Sequence, residues 1–313
     1  MKAKLFFISL LLSITTLLSA NNPGSTNALL WKISGNGLEK PSYILGTFHL
    51  ADKTMLDSIP GANAALDDCE QVVGEIVMGD MMAMAQTVQL AGMMPADTTY
   101  QMLYSEEEYK KVDEGVKAYL GAGLDQIGML KPSLVSTTIS MLIYQTFFPE
   151  INLNEVMDNY VQQYAISAGK PVVGLETIEE QINVLFNSSP LKRQADQLLC
   201  LLENIEDMHS SAVELIEAYN SKDLTTIHAL ISSESDPCRY SQEEMDALIK
   251  NRNDDWIKKL PTIILEKSSF VAVGAGHLVG DDGILTQLKT LGYTVEPYFT
   301  TVTQPYLSSS SPN

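Results

Sequence analysis

Cysteine, histidine and positive charge are all scarce in this chain, and each shortage removes a class of function. Only three cysteines occur in 313 residues, Cys69, Cys200 and Cys238, too few for a disulfide scaffold and without the paired spacing of a zinc finger. With 20 lysines and arginines against 39 aspartates and glutamates, the formal net charge is -19. So acidic a surface repels phosphate backbones and anionic membranes, which excludes nucleic acid as a partner. Four histidines are present. None belongs to a His-Glu-x-x-His run, and no Gly-x-Ser-x-Gly elbow exists to carry a hydrolytic serine of the α/β-hydrolase type. Beyond the leader no stretch reads as a transmembrane helix, so no stable membrane span is expected once the leader is removed.

That leader has the layout of a secretory signal peptide over residues 1–20: Lys2 and Lys4, the apolar run Leu5 to Leu18, then the small residues Ser19 and Ala20. Cleavage between Ala20 and Asn21 would deliver a periplasmic or secreted protein. No cysteine stands at the cut to take a lipid. In an oxidising compartment Cys200 and Cys238 can pair, whereas Cys69, before an apolar segment, is expected as a buried free thiol. Residues 21–305 are expected to form the catalytic domain, with 45% hydrophobic residues in the whole chain giving it an ordinary globular core. The polar end, 306–313, is expected to be disordered.

Two stretches organise everything between. Ser42-Tyr-Ile-Leu-Gly-Thr-Phe-His49 and Ser269-Phe-Val-Ala-Val-Gly-Ala-Gly-His277 are each a β-prone run that stops at a glycine, expected to turn the backbone, with a histidine three residues on. Leu29 to Ile33 and Tyr43 to Leu45 flank the turn Gly35-Asn-Gly37, a hairpin signal. Gln71 to Val77 is a further strand with Glu75 inside it, an unusual place for a carboxylate. Lys170 to Glu176 is another, ending in a carboxylate just before the capping box of Thr177 and Glu180.

Helices are expected from Ser105 to about Leu120, from Ser133 to Phe148, and from a cap at Asn154 to Gly169. Pro190 to about Tyr219 reads as one long amphipathic helix. A further one opens at Ser241, carries Asn251-Arg252-Asn253 and Trp256, and ends before Pro261. Asp281 to Gly292 closes the series. His209 and His228 fall on helical stretches as surface residues. Met78, Met81, Met82, Met84, Met93 and Met94 cluster in a segment that either fills a helical core or lines a substrate groove or partner surface.

Strands alternating with helices give an α/β fold: a largely parallel central β-sheet flanked by helices, with a long helical insertion or cap. In such sheets functional groups collect beyond the carboxyl ends of the strands, where His49, Glu176 and His277 are placed and Glu75 lies close by. Two imidazoles and one or two carboxylates suit a divalent transition metal such as Zn, Mn, Co or Fe. A metal-free arrangement, with one histidine activating water and the other polarising a carbonyl, uses the same residues. Either glutamate could instead be a salt-bridged or capping carboxylate, and Arg252, taken alone, is a solvated helix arginine.

With those residues in view, the chain resembles the TraB/GumN family, which includes the Tiki metalloproteases. The matching pieces are Leu29 to Ile33, Tyr43 to His49, Val73-Gly-Glu75, Met157-Asp158, Gly169 to Thr177, Arg252-Asn253 and Val273 to Gly280. Val156 stands where relatives often place glycine. The resemblance implies a fold related to the erythromycin esterase and ChaN-like proteins, and a metal-dependent hydrolase acting on a peptide or protein. On that reading His49, Glu75 and His277 are the expected metal ligands. Glu176, Arg252 and Asn253 are expected at the catalytic centre, with either glutamate as ligand or base. Arg252 would stabilise an oxyanion or clamp a substrate carboxylate. A peptide-sequestering binder and a metal-free esterase are the alternatives.

Overall fold

A computed structural model describes residues 28–79, 81–152, 155–233 and 238–299. The expected signal peptide with its cut at Ala20/Asn21, the cap at Asn154 and the tail 306–313 lie outside the described residues.

Among these residues six strands form one sheet: β1 (Leu30–Ser34), β2 (Ser42–Thr47), β3 (Gln71–Gly74), β4 (Val172–Gly174), β5 (Ser269–Gly274) and β6 (Thr294–Pro297), in the order β4-β3-β5-β2-β1-β6. β4, β3, β5 and β2 run parallel, while β1 is antiparallel to both β2 and β6. The hairpin closes through Gly35, Asn36 and Gly37, all at positive φ, as the turn signal predicts. Because β2, β3 and β5 are buried on both faces, they read as continuous apolar runs without alternation. Helices cover the sheet, and Phe270, Ile44, Trp256 and Leu260 lie in its core. A second core, holding Val112, Ile139 and Leu198, joins the helices Glu106–Leu120, Pro132–Phe147 and Leu191–Glu203. The largely parallel α/β sheet with a helical insertion is therefore the architecture of the chain.

Several boundaries differ from the sequence expectation. β3 stops at Gly74, so Glu75 caps the strand's end instead of lying inside it. The long helix after Pro190 is two, Leu191–Glu203 and Ile205–Asn220. Asn204 leaves helical geometry and its side-chain amide donates to the Cys200 carbonyl; the apolar spacing continues across the break and conceals it. Pro261 lies inside the helix Asn251–Glu266 and does not end it. The burial of Trp256, Leu260 and Ile264 on one face holds that helix together despite the missing N–H. The last helix is shorter, Ile284–Thr290. Cys200 and Cys238 form a disulfide with Cα atoms 5.7 Å apart, and Cys69 is a buried free thiol. His228 is exposed, whereas His209 is half-buried against Phe147, ring centroids 4.1 Å apart.

Candidate active site at the strand ends

Each of the four parallel strands delivers one chemical group from its carboxyl end. Across the sheet these are Glu176 after β4, Glu75 after β3, His277 after β5 and His49 after β2. Neighbouring strands thus bring together residues far apart in the chain. His49, Glu75 and His277 form the floor of a cavity of about 660 Å³, and Glu176 lies behind Arg252.

The glycines of the two Gly-x-x-His units are required for closeness, not for a turn, since neither Gly46 nor Gly274 has a positive φ. A Cβ on Gly274 would lie 3.0 Å from His49 Nε2 and 3.4 Å from Glu75 Oε1. A Cβ on Gly46 would press on Leu278 and Ala275 at 2.9 to 3.1 Å. Only glycine lets the second loop sit against the first histidine.

Both imidazoles direct Nε2 at the same carboxylate oxygen. Glu75 Oε1 lies 3.6 Å from His49 Nε2 and 3.9 Å from His277 Nε2, and it also accepts the Gly274 backbone N–H at 2.9 Å. Their Nδ1 atoms meet different partners. His49 Nδ1 lies 3.1 Å from Asp158 Oδ2, and the Thr47 hydroxyl donates to the other Asp158 oxygen. His277 Nδ1 lies 2.7 Å from the Asn253 side-chain oxygen. The Asn253 amide nitrogen already donates to the His277 and Asp282 carbonyls, so that oxygen must accept and His277 carries its proton on Nδ1. Its Nε2 is then a bare lone pair, which accepts from Arg252 Nη1 at 3.0 Å.

Arg252 is almost enclosed, its side chain 11% exposed, so it is not a solvated helix arginine. Its Nε donates to Glu176 Oε2, Nη1 to Leu248 O and His277 Nε2, and Nη2 to Glu75 Oε2 and Glu176 Oε1. All five guanidinium N–H groups are used. The guanidinium also stacks on Trp256, 4.7 Å from the ring centroid. Glu176 is equally occupied, taking two bonds from Arg252, one from Gln181 and one from Trp256 Nε1.

These surroundings set the protonation states. Burial works against charge on Glu75, but His49, His277, Arg252 and the Gly274 N–H together bring its carboxyl down to about 2. Burial, with Arg252 and His49 adding to it, pushes His277 down to about 3 despite the nearby Glu75. His49 moves the other way, to about 9, because the Asp158 carboxylate outweighs the cost of burial. His49 is surrounded by protein, yet 58% of its side-chain surface opens into the cavity.

The donors therefore suit a divalent ion in chemistry: an ionised carboxylate and two imidazoles whose Nδ1 atoms are already anchored. Two N···O separations between 3.6 and 3.9 Å are near what ligands ~2.0 to 2.2 Å from one ion require. Among the described residues, however, no group of three or more His, Cys, Asp or Glu side chains is arranged to hold a metal as packed. Arg252 is the competitor, since it takes the lone pair of His277. Binding by all three donors requires that hydrogen bond to be surrendered and the proton on His49 Nε2 to be released.

All six side chains singled out from the sequence, His49, Glu75, Glu176, Arg252, Asn253 and His277, gather here. Sequence reasoning missed Asp158, Thr47 and Gln181. Asp158 was visible only as half of the Met-Asp pair, and Gln181, which bridges Glu75 and Glu176, carried no signal beyond its place in a helix. Of the methionine-rich segment, Met78 reaches the cavity, Met82 is 83% exposed and Met94 is buried in the helical core. No helix among the described residues is long and apolar enough to cross a membrane.

The chain is similar to "Metalloprotease TIKI1" of Xenopus tropicalis, 26% identical over 314 residues that cover 86% of this chain and 61% of the relative. It is similar as well to "Metalloprotease TIKI2" of Danio rerio, 23% identical with 86% and 61% covered, and to "Metalloprotease TIKI homolog" of Amphimedon queenslandica, 24% identical with 96% and 68% covered. The chain spans 61% of the length of the first two relatives. No solved structure matches it. The sequence profile of the TraB/PrgY/gumN family matches residues 29–297, a stretch that contains every strand and every side chain of the site, and the chain belongs to that family.

Proposed function

We propose that this chain is an exported, metal-dependent hydrolase that cleaves peptide or protein substrates at the floor of the cavity, with His49, Glu75 and His277 sharing one divalent ion (Mn, Co, Zn or Fe). The observation that carries the reading is the convergence of both Nε2 atoms on one oxygen of Glu75. The likeness to proteins named metalloproteases supports it. Export to an oxidising compartment is supported by the leader and by the Cys200–Cys238 disulfide.

An ion in this site would acidify a water and polarise the scissile carbonyl. Asp158 and Thr47 orient His49 so that Nε2 faces the cavity, and Asn253 does the same for His277. Arg252 and Gln181 hold Glu75 in place. With four of its N–H groups held by Glu176, Leu248 and Glu75, Arg252 contributes a fixed positive field beside the reacting atoms. Only the Nη1 N–H that His277 gives up on binding the ion is left to meet a substrate, too little for a forked clamp on a carboxylate. Glu176 serves as its counter-ion, which leaves Glu75 as the ligand of the pair.

The Arg252 hydrogen bond to His277 favours a second reading. In it Arg252 is the resident cation, no ion is needed, and His49 holds and delivers the proton. Incubation of the purified protein with a defined peptide mixture, read by mass spectrometry for new termini, tests both. The first reading expects cleavage that disappears with chelator and in His49→Ala. Cleavage that survives chelator but not His49→Ala supports the second. Absence of cleavage with wild-type protein supplied with each of the four ions contradicts both.

A further inference from the structure

The polar floor occupies one side of the cavity, and the walls are of a different character. Helix Leu224–Ile231 contributes Ile227, Leu230 and Ile231 from one side. The π-helical turn Asp246–Lys250 contributes Leu248 and Ile249 from the other. That turn also provides the carbonyl that accepts from Arg252 Nη1, so the apolar wall is fixed directly to the reactive floor. π-turns are frequent at functional sites because they re-aim the side chains that follow.

Gly276, immediately before His277, lies between the two walls. A Cβ there would come 3.1 Å from Ile231 Cδ1 and 3.7 Å from Ile249 Cδ1. The backbone next to the histidine is thus lined by aliphatic carbon on both sides. An apolar chamber open to water is costly to leave empty, and it rewards an occupant that removes that surface from water.

Resting on the hydrolase reading, we infer that the site takes peptides carrying bulky aliphatic or aromatic side chains next to the bond presented to His49 and Glu75, with Ile231 and Ile249 as the specificity-determining residues. The occupant is identified by the continuity of the aliphatic walls with the floor: Ile231 and Ile249 both stand over Gly276, the residue before His277, so a side chain flanking a bond held at the floor meets their carbon. A charged or small polar side chain there would lose its water and gain no partner from either residue.

The test uses two end-blocked decapeptides identical except for a central Leu-Leu or Ser-Ser pair, titrated calorimetrically into the wild-type protein and an Ile231→Ser/Ile249→Ser double variant. The Leu-Leu peptide is expected to bind wild type roughly tenfold tighter or more. The preference should collapse in the double variant, while binding of the Ser-Ser peptide changes little. Equal affinities in wild type, or no measurable binding of the Leu-Leu peptide, overturn the inference whether or not the variant folds. A preference that persists in the folded double variant also overturns it. Mass spectrometry of the titrated peptides reports whether they are cut, and a Leu-Leu peptide that is preferred but left uncut sustains the inference and counts against the hydrolase reading.

Discussion

His49 Nδ1 lies 3.1 Å from a carboxylate oxygen of Asp158, and this pairing separates two histidines that the sequence presents as equivalent. His277, in the matching position on the neighbouring strand, has a neutral amide partner in Asn253. The same Gly-x-x-His unit thus yields a proton-holding imidazole on one strand and a neutral one on the next. The difference comes from helices that approach the two loops, not from the loops themselves.

Replacing Asp158 by Asn should leave the fold in place and lower metal affinity and peptide hydrolysis by about 10- to 100-fold, the usual cost of losing such a supporting partner. Isothermal titration with Mn or Zn and a peptide assay measure it, with circular dichroism reporting the fold. Unchanged affinity and rate would show that Asp158 does not orient His49.

Arg252→Ala removes the positive partner of Glu75 and Glu176 and leaves their carboxylates buried. The expected loss of stability is about 3 to 5 kcal/mol. Arg252→Lys should recover little of it, because an ammonium cannot reproduce a planar fork with five N–H contacts. Urea denaturation of the three proteins distinguishes this from a surface arginine, for which both changes would cost under about 1 kcal/mol.

Away from the site, Glu244 closes the capping box of Ser241 and receives a forked pair of bonds from Arg193 as well as the Ser189 hydroxyl. Burial opposes its charge, but these partners hold its carboxyl down to about 2. A depressed folded-state value means that the stabilisation is complete above the ordinary glutamate range and is lost as pH falls toward 2. Glu244→Gln should therefore be less stable at neutral pH, by no more than about 3 kcal/mol, and the gap to wild type should close between pH 5 and pH 2. A gap independent of pH would remove the ionised pair as its cause.

The Cys200–Cys238 bridge spans 38 residues and joins the helical insertion to the segment that enters the cavity wall. Cys200→Ser/Cys238→Ser should lower unfolding free energy by about 3 to 4 kcal/mol on the chain-entropy estimate. Denaturant unfolding with and without reductant checks it, and a reductant effect on wild type alone is the expected pattern.

Much of the fold was legible because its signals are local. The Gly35-Asn-Gly37 turn, the capping boxes at Ser105, Thr177 and Ser241, and the doubly buried strands each announce themselves within a few residues. His49, Glu75, Glu176 and His277 were legible for the same reason, since strand ends mark where α/β proteins place their chemistry, whereas Arg252 and Asn253, on a helix, were placed only by the family resemblance. Strand order was not legible, because β3 lies beside β5 through long-range pairing. Nor was the break at Asn204, where a side chain caps a helix without disturbing the apolar period. The saturation of Arg252 is likewise a property of four elements meeting, and no single stretch of sequence contains it. Gly274 was read correctly as special and for the wrong reason, since its need is contact with His49 and Glu75.

The central claim is that His49, Glu75 and His277 hold one divalent ion. Elemental analysis of purified wild type, His49→Ala and His277→Ala, dialysed together against the same metal-containing buffer, tests it most directly. One Mn, Co, Zn or Fe per wild-type chain, absent from both variants while their circular dichroism remains native, is the predicted result. Stoichiometric metal retained in either folded variant, or none bound by wild type at any of the four ions, would contradict it.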